Sequence, residues 1–169
     1  IVFGDWSSDV CSSDLVDLPP AYFGAIASGH LFYTPDRKGL GQVHDGELKG
    51  LLGRWDSVKD EELNDWLKRF CRYNTFEISI PVLRDPDAAP EGKTGVIISA
   101  LFDFELTKRI KESGRYEEFK RRVEDEFIAA LSSSIYPGLK DKVLFQFSAS
   151  PLSIHEKAGS SDEIGSGSV

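Results

Sequence analysis

The chain has 169 residues, 40% of them hydrophobic, including 11 Phe, 3 Trp and 5 Tyr, which is apolar material for one core of ordinary domain size. Its 28 acidic and 20 basic side chains leave a formal net charge of -8, a sign that repels phosphate backbones and excludes nucleic acid as an expected partner. No apolar run reaches the roughly 20 residues that cross a bilayer, and no basic segment precedes a cleavable apolar stretch, so a soluble, cytoplasmic protein is expected.

Residues 1–15 read differently from the remainder. The run Asp5-Trp6-Ser7-Ser8-Asp9-Val10-Cys11-Ser12-Ser13-Asp14-Leu15 has no periodicity and doubles Ser-Ser-Asp. It resembles a translated sequencing adapter, with Ile1-Val2-Phe3-Gly4 as a variable index, so Trp6 and Cys11 are expected to carry no function and the gene product to begin before Val16. Cys11 and Cys71 are the only cysteines, too few for a disulfide framework or a Cys-rich zinc site. His30, His44 and His155 lie far apart, without HxxxH or HExxH spacing, and no metal is expected.

Gly24 to Thr34 is small and apolar and ends in Leu31-Phe32-Tyr33 before Thr34-Pro35-Asp36, which suits a strand entering a turn. Arg37 to Gly46 reads as a Gly-rich polar loop. Its Gly39-Leu40-Gly41 lacks the third glycine of a dinucleotide fingerprint, because His44 stands there. Ser57-Val58-Lys59-Asp60 predicts a helix start, followed by Leu63, Trp66, Leu67 and Phe70 at i, i+3, i+4 and i+7, a core-facing stripe. Phe76, Ile78, Ile80 and Val82 alternate with other residues as in a strand with one buried face, and Pro81 places that strand at an edge or ends it.

After a loop from Arg84 to Lys93, Thr94 to Phe102 is nearly continuous in apolar residues, the pattern of a strand covered on both faces. The two strands are expected to pair as an antiparallel hairpin. Asp103 caps a short helix through Ile110 that Gly114 ends. A longer helix spans Tyr116 to Ile135, with Phe119, Val123, Phe127, Leu131 and Ile135 on one side, and Pro137-Gly138 stops it. Val143 to Ser148 predicts a last strand with Val143, Phe145 and Phe147 on one face. The expected fold is α+β, helices packed on a mixed β-sheet.

Acid pairs at Glu61-Glu62 and Glu117-Glu118 read as solvated helix faces, since consecutive helical residues point apart. Ser132-Ser133-Ser134 has no GxSxG context and reads as helix surface.

Two blocks carry a family resemblance. Thr75 to Thr94, with its Asp85-Pro86-Asp87-Ala88-Ala89-Pro90-Glu91-Gly92 loop, is similar to a strand, loop and strand of the phytoene-dehydrogenase-like FAD-dependent oxidoreductases, a family that includes carotenoid desaturases and retinol saturases. Tyr136-Pro137-Gly138-Leu139-Lys140-Asp141, with Ala149-Ser150-Pro151-Leu152-Ser153-Ile154 downstream, resembles that family's YPGL and SPL elements. Together with Gly29-His30-Leu31-Phe32-Tyr33-Thr34-Pro35, the likeness runs from about Ala21 to Ser161; past Asp162 the sequence departs from the family pattern.

The resemblance implies a fragment, with 16–150 part of the substrate (middle) domain and 151–169 the start of the return to an FAD-binding domain. FAD would be bound by the parent, whose nucleotide-binding motif is absent here. It further implies hydride transfer between flavin and an apolar, isoprenoid- or carotenoid-like substrate, with peripheral membrane contact open to the parent. The positions implied near flavin or substrate are Ser150, Pro151 and Leu152, with Ser153 and His155 behind them, and no catalytic residue is assigned. Two other readings stay open: a stand-alone lipid- or isoprenoid-binding module, and a non-catalytic acidic interaction domain.

Overall fold

A computed structural model describes residues 9–36 and 41–149. Its centre is a sheet of five strands in the order β2-β3-β4-β1-β5. These are β1 (Asp9–Val16), β2 (His30–Tyr33), β3 (Phe76–Ser79), β4 (Thr94–Leu101) and β5 (Val143–Ala149). Every pairing is antiparallel, so the expected mixed sheet is corrected within an α+β fold. The difference arises because Asp9–Val16 inserts between β4 and β5 and runs against both. The expected β3–β4 hairpin is present, with Ile78 opposite Ile98.

Helices α1 (Pro20–Gly24), α2 (Lys49–Gly53), α3 (Asp60–Tyr73), α4 (Phe104–Glu112) and α5 (Tyr116–Ser132) complete the fold. The stripe predicted for α3 is buried, as Leu63, Trp66, Leu67 and Phe70, and the α5 stripe is buried from Phe119 to Leu131. Trp66 stacks on Phe70 at 5.0 Å between ring centroids, Phe70 meets Phe102 edge-on at 5.1 Å, and Phe127 meets Phe76 at 5.1 Å. Such edge and offset contacts suit aromatic quadrupoles, and they tie α3 and α5 to one side of the sheet.

Several local expectations are corrected. Gly24–Gly29 is not extended, because Pro20 opens a short helix, and only His30–Tyr33 is strand. Gln42–Leu48, which takes in the end of the loop expected over Arg37 to Gly46, is a wide helical turn that buries Val43 and Leu48, with the Trp66 indole N–H donating to the Val43 carbonyl at 3.2 Å; residues 37–40 of that expectation lie outside the described residues. Ser57 does not cap α3; its hydroxyl donates to the Arg54 carbonyl in the preceding turn. Helix α5 stops at Ser132, short of Ile135, as the Tyr136 N–H turns back to the Leu131 carbonyl and Gly138 takes φ +81°. Glu61, Glu62, Glu117 and Glu118 are exposed in the first turns of α3 and α5, where carboxylates favour the helix dipole.

Thr94–Phe102 departs most usefully. Along β4, Thr94, Val96, Ile98 and Ala100 are buried, whereas Gly95, Ile97 and Ser99 are half-buried and Leu101 is exposed. The strand is covered on one face only.

Candidate functional site

All five strands contribute to the uncovered face. Register sets its layout: Phe147 stands opposite Ser13, Ser13 opposite Ile97, Ile97 opposite Ser79, and Ser79 opposite His30. A parallel row runs Cys11, Ser99, Glu77, Phe32, and a shorter one joins Phe145, Leu15 and Gly95. Ser13, Ser79, Ser99 and Gly95 therefore share the floor with Ile97 and Leu15. Phe145 and Phe147 stand along one edge, 62% and 55% exposed, and Phe32 along the other, 68% exposed. Four strand spacings of about 4.8 Å make the face about 19 Å wide.

Strand β5 is turned opposite to the ordinary sense. Its aromatic side chains face outward, while Gln146 and Ser148 point to the helices, where Ser148 donates to the Glu124 carboxylate on α5. The alternation expected for the last strand is present, and the structure places Phe145 and Phe147 on the face away from the helices. Period-2 alternation identifies two faces but not which one meets the helices.

Beneath the sheet, the segment read as adapter-derived brings Ser12 and Asp14 to the helix-facing side of β1. The Ser12 hydroxyl donates to Asp14 Oδ2 at 2.8 Å, while Asp14 Oδ1 and the register-paired Gln146 Nε2 are buried without a hydrogen-bond partner. Burial, with Glu124 adding like charge, outweighs the hydrogen bonds and pushes the Asp14 carboxyl up to about 6.

A groove of about 520 Å³ lies on the helical side, between α3 and α5. Cys71 lines it, but burial raises its thiol well above the usual range, which removes the thiolate a nucleophile needs. Among the described residues no group of three His, Cys, Asp or Glu could hold a metal.

The residues present do not fit a flavin dinucleotide's phosphates. A phosphate site needs free N–H groups and a positive helix end. Here β4 enters α4 through Phe102-Asp103, and the Asp103 carboxylate already takes the Leu106 N–H at 2.8 Å. The first turns of α3 and α5 carry Asp60, Glu61, Glu62, Glu117 and Glu118. These carboxylates repel phosphate, so no step is derived through the flavin. Ser150, Pro151 and Leu152, with Ser153 and His155, lie outside the described residues; in sequence they follow Ala149, the last residue of β5.

No family model matches the chain. Over 88 residues, 52% of this chain, it is 33% identical to two proteins of an Oncidium hybrid cultivar named prolycopene isomerase 1 and 2, chloroplastic. It is 28% identical over 88 residues to a prolycopene isomerase, chloroplastic, of Daucus carota. The matched stretch spans about 15% of the length of the Oncidium relatives. Among the described residues no helix is long and apolar enough to cross a membrane. The expected cytoplasmic location has no counterpart in the relatives' names, which are chloroplastic.

Proposed function

We propose that this chain is the ligand-covering part of a carotenoid-processing flavoenzyme, whose open sheet face forms one wall of an apolar substrate site. The observation that carries this reading is β5: Phe145 and Phe147 face outward while Gln146 and Ser148 face the helices. A strand gains nothing from exposing aromatic rings unless something apolar covers them. The resemblance to phytoene-dehydrogenase-like oxidoreductases and the partial likeness to prolycopene isomerases support a carotenoid-like occupant.

In this reading, residues 16–150 belong to the middle domain, 151–169 begin the return to the nucleotide domain, and Ser150, Pro151 and Leu152 come near the flavin or substrate. Residues 1–15 are foreign, and Asp9–Leu15 stands in a slot that another strand of the parent occupies. FAD is held by parts of the parent outside this chain and supplies hydride chemistry on the carbon skeleton. The residues of this chain orient the apolar ligand and exclude water.

Recovering the uninterrupted reading frame and purifying its product tests the proposal. Bound flavin absorbance, and conversion of prolycopene or a related polyene, are expected. A natural start codon just before Val16, with no nucleotide-binding part, would overturn it.

A further inference from the structure

The open face carries one polar device that an apolar wall does not explain. Among the residues of β2, β3 and β4 on this face, Glu77 is the only carboxylate and His30 the only base. They come from different strands, 47 positions apart in sequence, and sit diagonally across the β2–β3 ladder, since His30 is opposite Ser79 and Glu77 opposite Phe32. His30 Nε2 and Glu77 Oε1 are 2.7 Å apart. The imidazole also meets the Phe32 ring edge-on at 5.6 Å.

This contact orients the ring. An ionised carboxylate only accepts, so Nε2 carries the proton and donates to Glu77. In the neutral imidazole Nδ1 then keeps its lone pair and is an acceptor. No described group takes Nδ1. His30 also ends the row Phe147, Ser13, Ile97, Ser79, His30, so a ligand lying across the floor from the Phe147 edge finishes at this imidazole. A purely hydrocarbon end would strip water from the pair without replacing its hydrogen bond, whereas an O–H group supplies the missing donor.

We propose that His30, held by Glu77, receives the hydroxyl end of an otherwise apolar ligand laid across the sheet. This rests on the open face being an apolar-ligand wall, and it adds a substrate subclass: isoprenoid alcohols over hydrocarbons of equal length. The residues that build the polar end, His30, Phe32, Glu77, Ser79 and Ile97, lie outside the first fifteen positions, while Ser13 in the middle of the row lies within them. As an exposed pair, His30 and Glu77 contribute little to the fold, so their removal reports on binding.

The test titrates the full 169-residue chain with geranylgeraniol and with the matching C20 hydrocarbon that lacks the hydroxyl, by equilibrium dialysis. Wild type is expected to prefer the alcohol on the order of tenfold, the value of one well-placed hydrogen bond. His30→Phe and Glu77→Leu abolish that preference and leave hydrocarbon affinity unchanged, while His30→Gln, which keeps an acceptor, restores part of it. Equal affinities in wild type would overturn this inference and leave the apolar wall standing. If neither ligand binds, the wall itself is wrong. Loss of hydrocarbon binding in the His30 and Glu77 variants would assign the pair a structural role and overturn the inference as well.

Discussion

At Asp14 a carboxyl 2% exposed to solvent sits on the helix-facing side of β1, where the Ser12 hydroxyl donates to Oδ2 and the neighbouring Gln146 amide also favours the ionised form, too little to offset burial. Its pKa in the fold, about 6, lies above its ordinary 3.8, so folding favours the protonated form. That contribution is full below pH about 4 and is lost as pH rises through about 6. The difference corresponds to about 3 kcal/mol. Urea unfolding at pH 4, 5, 6 and 7 is therefore expected to show stability falling across this window, and Asp14→Asn to flatten the fall. Tyr136 gives a second case. Its ring is fully buried against Phe23 at 5.0 Å, its hydroxyl has no partner among the described groups, and burial pushes its pKa up to about 12. Tyr136→Phe should hold or raise stability within about 1 kcal/mol, because no hydrogen bond is lost, whereas Tyr136→Ala should cost about 3–5 kcal/mol through the cavity. Thermal melts of the pair distinguish packing from polarity. None of this was legible in the sequence, since neither the facing of Asp14 nor the isolation of the Tyr136 hydroxyl follows from local pattern.

Single elements were more legible where periodicity and capping agree. The Asp103 carboxylate accepts the Leu106 N–H at 2.8 Å, as its place before an apolar helical run predicts. Asp103→Ala is expected to destabilise the chain by about 1 kcal/mol, read from the shift in denaturant midpoint at constant slope. The stripe Leu63, Trp66, Leu67, Phe70 was readable because core-facing residues on an amphipathic helix repeat near 3.6, and all four are buried. Strands were harder. Phe76, Ile78, Ile80 and Val82 are all buried as expected, yet the strand itself ends at Ser79, where Pro81 opens a tight turn. In β5 the alternation was legible, and which face it turned to the helices was not.

At the scale of the molecule, among the described residues helices cover one face of a five-stranded antiparallel sheet and none covers the other. Phe32, Leu101, Phe145 and Phe147 are each more than half exposed there, and β5 is an edge strand of the described sheet. Exposed apolar faces and unpaired edges drive self-association. The isolated chain should accordingly form concentration-dependent oligomers in sedimentation velocity, and Phe145→Ser with Phe147→Ser should shift it toward monomer. Because both rings are more than half exposed and only Phe147 has a cation–π contact to lose, with Lys120 Nζ 5.7 Å from its centroid, the double substitution should change unfolding free energy by about 1 kcal/mol or less. A wild-type chain that stays monomeric with a cooperative transition would contradict this.

The sequence by itself determined the α+β class, the core stripes of α3 and α5, the β3–β4 hairpin and the cap of α4, because each rests on contacts or periods within a few residues or on one short connection. Which side of each strand meets the helices, the insertion of β1 between β4 and β5, and the meeting of His30 with Glu77 were decided only by the tertiary structure. The physical reason is that a strand's pattern repeats every two residues. It defines two faces equally well, and only packing against elements distant in the chain chooses between them.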